Sequence, residues 1–343
     1  MRATVFRGVG LPLNVETVED PTPGRAEVVL KVGRCGVCGT DLHRTEHNVA
    51  TYREGTIPGH EFSGEVVALG AEVCGLKIGD IVTAQPYVGC NSCIHCIQGF
   101  PAFCHETRSI GSDRRPGAFA EYVTVGAPFT LKLPAALSLA DGALVEPLAV
   151  ALRGVLRGQI QPGSNVLVLG AGPIGLAAAF WAKRAGAGKV AVQASSRRRA
   201  DVAGSLGADL FIDATGELSP AQKAVEAFGR APDVVLECVG LPGMIDQAIA
   251  TVRRQGMVVI LGACMEHDRW LPVLGLTKEV DLRFSYVYDL REYQIAIDAM
   301  DAGAVEPRAL ITQTVSLDAL PDAFEALKAR SNHCKVMVDP WAT

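Results

Sequence analysis

Val166-Leu-Val-Leu-Gly-Ala-Gly-Pro-Ile-Gly175, followed by Leu176-Ala-Ala-Ala-Phe-Trp-Ala182, is the stretch whose reading decides the fold. A four-residue apolar run enters a turn made by Gly170, Gly172 and Gly175, and an alanine-rich helix leaves it. A bare GxGxxG recurs by chance as a turn that merely packs helix on sheet. Strand, motif and helix in this order instead let a dinucleotide pyrophosphate meet backbone N–H groups at the helix N-terminus, with the glycines permitting close approach. Gly170, Gly172, Pro173, Ile174 and Gly175 are therefore the expected coenzyme contacts.

The pattern repeats outward. KVAVQ leads to a helix ending at Leu206-Gly207, LFID to a helix near 219 to 229, and DVVLECVG to a further helix before MVVILG. Strands alternating with helices imply a parallel sheet covered on both faces. The ends of the later strands add Val239, Leu261 and Gly262 as coenzyme candidates. An Asp or Glu is expected about 20 residues past the motif to read the ribose of NAD(H). The strand Lys189 to Gln193 ends instead in Ala194, Ser195, Ser196, Arg197, Arg198 and Arg199. Small hydroxyls and guanidinium groups bind a 2′-phosphate that an acid would repel, which favours NADP(H) over NAD(H). Helix geometry cannot aim all three arginines at one phosphate, so Ser195, Ser196 and Arg199 are the candidates. The alternative is a solvated basic face.

On the N-terminal side, short runs at Val28 to Val32, Glu65 to Ala68, Ile81 to Ala84 and Phe119 to Val123 are separated by glycine-rich turns and read as a β-barrel. On the C-terminal side, Arg291 to Asp301 and Leu317 to Ala329 read as helices before a last strand, CKVMVD, and this tail is long enough to return to the first domain. The expected organisation is α/β. Residues 1–152, completed by 291–343, are expected to form a β-barrel domain with metal loops, and 153–290 a doubly wound parallel-sheet domain for the dinucleotide.

The 343 residues are 49% hydrophobic and 20% charged, an ordinary globular composition with room for two cores. A net charge of −5 supplies no broad basic field for nucleic acid or anionic membranes. The apolar stretch Val166 to Ala182 carries three glycines and Pro173 and is too short for a confident membrane span. MRATVFRGVG has no apolar signal core, so a cytoplasmic location is expected, and the ten cysteines then suit metal better than disulfides.

Two metal sites are interleaved. Cys90, Cys93, Cys96 and Cys104 follow C-x2-C-x2-C-x7-C, a spacing that wraps four thiolates around a structural zinc. An iron–sulfur cluster is the rival, although its fourth cysteine comes sooner and precedes proline, whereas His105 follows Cys104. A zinc ribbon that binds nucleic acid is a further rival that the acidic chain disfavours. Cys38, His60, Glu61 and Glu146 are dispersed, and ligands gathered from distant loops can leave a position open for substrate.

Cys38-Gly-Thr-Asp41, Gly59-His60-Glu61, the four-cysteine lobe, Glu146-Pro-Leu-Ala149 and Gly170 to Gly175 occur in an order that resembles the zinc-dependent medium-chain alcohol dehydrogenases across essentially the whole chain. The resemblance is strongest to the sorbitol and threonine dehydrogenase branch, because Glu146-Pro147 stands where other branches carry a cysteine ligand. It implies a GroES-like catalytic domain around a Rossmann coenzyme domain, two zinc ions per subunit, and a homotetramer or homodimer. It also implies that Cys38 and His60 bind the catalytic zinc with Glu61 as third ligand, and that Glu146 binds directly or through water. Glu61 alternatively orients His60 from outside the ligand set. Thr40 would hydrogen-bond the substrate oxygen, and His43 would pass a proton to solvent, the alternative being a surface histidine.

Polyol-oxidising members carry an Arg-Tyr pair late in the coenzyme domain, where this chain has Val287 and Tyr288. Losing the guanidinium leaves polyol hydroxyls unpaired, so a less polar secondary alcohol or ketone is expected. Polyol or threonine oxidation is the alternative, and a coenzyme-binding scaffold without turnover is the non-enzymatic one. Zinc-free quinone reduction is disfavoured by the same ligands. The apolar Trp270 to Val273 segment and the strand near Leu282 to Val287 are the expected pairing edge between subunits.

Overall fold

The strand–helix alternation builds a parallel sheet of six strands, in the order Leu210–Asp213, Lys189–Ala194, Asn165–Leu169, Val234–Glu237, Met257–Ile260 and Asp281–Phe284. Every residue of Asn165–Leu169 is buried, as expected of a strand covered on both faces. It pairs with Lys189–Ala194 on one side and Val234–Glu237 on the other, so the chain reverses direction across the sheet at the fingerprint turn. Ligands of doubly wound sheets bind at such a reversal. The core beneath the helices includes Leu167, Leu169, Ala191, Val235, Val258 and Ile260. The expected helix near 219 to 229 spans Pro220–Phe228, with Ser219 and Gln222 forming a capping box and Gly229 ending it at φ 77°.

The computed structural model describes residues 1–112, 115–329 and 332–342. It divides into two compact units, Met1–Glu146 with Tyr288–Thr343, and Pro147–Val287. The joins differ from those read at 152/153 and 290/291. Helix Leu139–Arg157 straddles the first join. Its N-terminal part is held in the first unit by Arg308 on Asp141, while Leu148 accepts from Trp181 Nε1 at 2.9 Å within the second.

In the first unit Glu27–Gly36 is the hub, pairing antiparallel with Glu61–Leu69, Tyr122–Gly126 and the last strand, Lys335–Asp339. The C-terminal tail thus returns to the N-terminal barrel. The strand expected at Phe119 to Val123 begins at Tyr122, because Ala120 instead bridges to Ala3 and Phe119 accepts from the Thr4 amide. The C-terminal helices span Leu290–Asp301, capped by Asp289 with Glu292, and Leu320–Lys328. Val28, Leu30, Phe62, Val82, Phe324 and Val336 share one core. Among the described residues no helix is long and apolar enough to cross a membrane.

Candidate active site

Cys38 caps the short helix Gly39–Arg44, and its amide donates to Asp41 Oδ2 at 3.0 Å, closing a capping box. Asp41 is fully buried and also accepts from the Tyr52 hydroxyl at 2.9 Å. Its Oδ1 lies 3.2 Å from His60 Nδ1. Burial pushes the Asp41 carboxyl up, but His60, the Cys38 amide and Tyr52 outweigh it and hold the carboxyl below its usual range. With Nδ1 turned to Asp41, Nε2 is the ring atom left to face a ligand. Burial opposes a charged imidazole, yet Asp41 and Cys38 prevail and raise the proton affinity of His60. A metal cation would take that proton's place.

Strand register brings the third group in. Glu61 pairs with Gly36, and Gly36 pairs in turn with Met337. Lys335, two residues before Met337 in the last strand, donates to Glu61 Oε1 at 2.8 Å, to Oε2 at 2.6 Å and to the Val37 carbonyl at 2.9 Å. Both side chains of this pair are 1% exposed. A Cβ at position 36 would collide with the Glu61 carboxylate, which explains the glycine between them. Burial lowers the Lys335 proton affinity, but Glu61 overrides it and the net shift is upward.

One ligand atom each from Cys38, His60 and Glu61 lie within 4.8 Å of one another. Glu146 is not part of that group, so the expected set of four divides into three and one. Its Oε1 accepts from the Tyr288 hydroxyl at 3.0 Å, and burial pushes its carboxyl up to about 7, with His60 opposing and Glu61 adding. Tyr288, expected as a bare substrate contact, is therefore engaged with this carboxylate. Val287 is buried with φ 51°, a conformation that β-branched residues rarely adopt. Thr40 is half-buried in the first turn of its helix, whereas His43 is exposed, with Nδ1 3.8 Å from Glu46.

The sulfurs of Cys90, Cys93, Cys96 and Cys104 also lie within 4.8 Å of one another. Amides of Cys90 and Glu106 donate to the Cys104 sulfur at 3.4 Å, and the Cys93 amide to Cys90 at 3.3 Å. Hydrogen bonds from Ser92 and Cys93 lower the Cys90 thiol to about 6. Four sulfurs with amide donors suit a structural zinc, and the mixed thiolate, imidazole and carboxylate group suits a second one with room for a further ligand.

In the second unit the fingerprint turn joins strand Asn165–Leu169 to helix Pro173–Arg184. A Cβ at Gly175 would strike the Gly170 carbonyl, so that glycine serves helix–strand packing. A Cβ at Gly172 would meet no protein atom, so that glycine leaves open the space a pyrophosphate would fill at the start of helix Pro173–Arg184. Arg199 donates to the Ala171 carbonyl at 3.0 Å, inside the fingerprint. Arg197 lies over the Phe211 ring, and Arg198 donates to Ser196 Oγ at 3.0 Å. Ser196 caps that turn, and Ser195 is exposed. Glu237 pins the neighbouring loops by accepting from the Val239 and Gly240 amides at 2.6 and 2.9 Å, and its carbonyl accepts from Leu261 and Gly262.

Sequence reading missed Asp41, Lys335 and Glu237. The spacing of Cys38 and Asp41 was a signal for a capping box, and the acid ending the apolar run of Val234–Glu237 was another. Lys335 left none.

The fold and site define an oxidoreductase that joins a metal-binding barrel unit to a dinucleotide-binding unit. Residues 24–135 match the alcohol dehydrogenase GroES-like domain, and residues 173–302 match the zinc-binding dehydrogenase family. The chain is 32% identical to sorbitol dehydrogenase of Bacillus subtilis, over 99% of this chain and 97% of that protein. Among solved structures, 2R,3R-butanediol dehydrogenase from Bacillus subtilis is 30% identical with a TM-score of 0.87, covering 99% of both chains. A zinc-binding dehydrogenase from Sinorhizobium meliloti bound to NADP is 31% identical with a TM-score of 0.85, again covering 99% of both. The chain belongs to the zinc-dependent medium-chain alcohol dehydrogenases, in their sorbitol dehydrogenase-like branch, and is an oxidoreductase acting on CH–OH donors.

Proposed function

We propose that this protein moves a hydride between NADP(H) and a secondary alcohol or ketone less polar than a sugar polyol. The observation that carries the reading is the gathering of ligand atoms from Cys38, His60 and Glu61 within 4.8 Å of one another. Bound there, zinc supplies a Lewis acid that polarises the substrate C–O bond. Asp41 orients the His60 ring, and Lys335 holds both oxygens of Glu61. Tyr288 fixes one oxygen of Glu146. Thr40 takes the hydroxyl proton, and His43, one turn along the same helix face, releases it to solvent.

Preference for NADP(H) rests on Ala194 in place of an acid, on Arg199 docked on the fingerprint, and on the NADP-bound relative. Preference for a less polar substrate rests on Val287, which offers no cation to a row of hydroxyls. The likeness to sorbitol dehydrogenase favours the polyol reading. Reduction of hydrophobic ketones with NADPH, set against oxidation of sorbitol, xylitol and threonine before and after chelation, decides between them. A clear polyol preference overturns the proposal.

A homodimer or homotetramer is part of this reading. Asp281–Phe284 is the edge strand of its sheet, and Phe284, Leu271, Val273 and Leu276 nearby in sequence are exposed. A second copy pairing on that edge gives a dimeric or larger mass by light scattering. A cytoplasmic location follows from two sites that need reduced cysteines.

A further inference from the structure

The second unit carries a groove that the proposed reaction does not use. Helix Pro220–Phe228 and the end of helix Met244–Thr251 border an open groove of about 760 Å³, lined in part by Leu218, Ala221, Val225, Ala250 and Val252. Leu218 is 40% and Val225 42% exposed. Small-molecule sites are of this size, mostly apolar, with a few polar groups that fix the ligand. Arg254 and Lys278, also in the lining, precede the strands Met257–Ile260 and Asp281–Phe284, whereas the fingerprint follows Asn165–Leu169 in the same parallel sheet. The cationic end of the groove and the fingerprint therefore lie at opposite edges of that sheet.

The charges in the groove are unbalanced. Arg253, Arg254 and Lys278 face one acid, Glu226, among the described residues that line it. Arg253 is taken by Asp233 at 2.7 Å. Arg254 and Lys278 form no ion pair with a carboxylate among the described residues: Arg254 Nη1 donates to the Thr277 carbonyl at 2.6 Å, and Lys278 Nζ to the Ile249 and Ala250 carbonyls at 2.7 and 3.0 Å. A guanidinium and an ammonium each carry more donors than these bonds use. Burial, and then the charge of Arg254, lower the proton affinity of Lys278. An anion between the two cations would relieve that repulsion.

We infer that this groove is a binding site for a free carboxylate with an apolar tail, of the class of medium-chain fatty acids. The carboxylate bridges Arg254 and Lys278, and the tail covers the exposed faces of Leu218 and Val225. Charge complementarity selects the head group, because hydrogen bonds between ionised partners are about twice as strong as neutral ones. The apolar wall selects the tail, whose burial removes hydrocarbon from water on both sides of the contact. A single negative charge suits the groove better than a polyphosphate, since Glu226 opposes further charge and the apolar side chains offer no donors.

The test titrates octanoate into the zinc-loaded enzyme by calorimetry, with acetate as the control for the tail and octyltrimethylammonium as the control for the charge. Octanoate binds saturably with a Kd of about 1 mM or tighter, and each control binds at least about 10-fold more weakly. Arg254→Ala removes one side of the anion clamp, and Val225→Asp places a negative charge in the apolar wall. Each raises the Kd for octanoate by about 10-fold or more. Both positions are exposed, so the variants fold, and Val225→Ser takes the place of Val225→Asp should that one fail to. No saturable binding, or equal binding of octyltrimethylammonium, overturns the inference. An unchanged Kd in either variant also overturns it, because octanoate then sits elsewhere, as at the metal-ligand group. So does a fall in the mass of Val225→Asp by light scattering, which would show the groove seating a second copy of the chain.

Discussion

Replacing Lys335 with methionine tests how the site is held. The Lys335 ammonium contacts both Glu61 oxygens, at 2.8 and 2.6 Å, and the Val37 carbonyl at 2.9 Å, with both side chains of the pair 1% exposed. Removing the cation leaves a buried carboxylate without compensation, which typically costs about 3–5 kcal/mol. In a unit of roughly 200 residues each kcal/mol shifts the melting temperature by about 2–4 °C, so the chelated variant melts roughly 6–20 °C below the chelated wild type. Zinc provides the next available positive charge for that carboxylate. Adding zinc therefore raises the melting temperature of Lys335→Met by more than it raises the wild type's. Differential scanning calorimetry with and without chelator measures both quantities. A chelated variant within about 2 °C of the wild type, or equal zinc increments for the two proteins, refutes the reasoning.

Asp141 accepts from Arg308 Nε and Nη2 at 2.7 and 2.8 Å and from Ser138. Burial pushes its carboxyl up, but Arg308 and Ser138 win and hold it below the usual range. A depressed folded value adds stability above the ordinary pKa of about 4 and loses it as pH falls through the folded value. Urea midpoints of Asp141→Asn accordingly lie below the wild type's at pH 6, and the gap narrows from about pH 4 downward; a gap independent of pH contradicts this. Ala194→Asp combined with Arg199→Leu moves kinetic preference toward NAD(H) by about 10-fold or more, and a wild type already preferring NAD(H) in parallel assays sinks the phosphate reading. Cys96→Ser opens the four-sulfur group, so metal analysis finds about one zinc per chain in place of two, with a lowered melting temperature. Undiminished zinc content would show that these sulfurs hold none.

Much was legible without coordinates because it is local. The fingerprint turn, the four-cysteine spacing and the strand–helix alternation each lie within a short stretch of chain, where backbone geometry leaves few choices. Gly172 shows this well: the motif alone predicts a glycine that makes room for phosphate, and a Cβ there would meet no protein atom. Element ends were less legible where a tertiary contact overrides the pattern, as where Ala120 bridges to Ala3 and delays the strand to Tyr122.

By itself, then, the sequence determined the fold class, the four-cysteine cluster and the glycine turn between strand and helix, since all three follow from spacing and hydrophobic period. Only the tertiary structure decided how the dispersed metal-capable side chains are held. Lys335 meets Glu61 because two strands pair with opposite edges of Glu27–Gly36 at Gly36. Tyr288 meets Glu146, and Tyr293 meets Thr83, again between residues remote in the chain. The Lys335–Glu61 meeting depends on the register between remote strands, and a slip of one residue would turn either side chain to the other face.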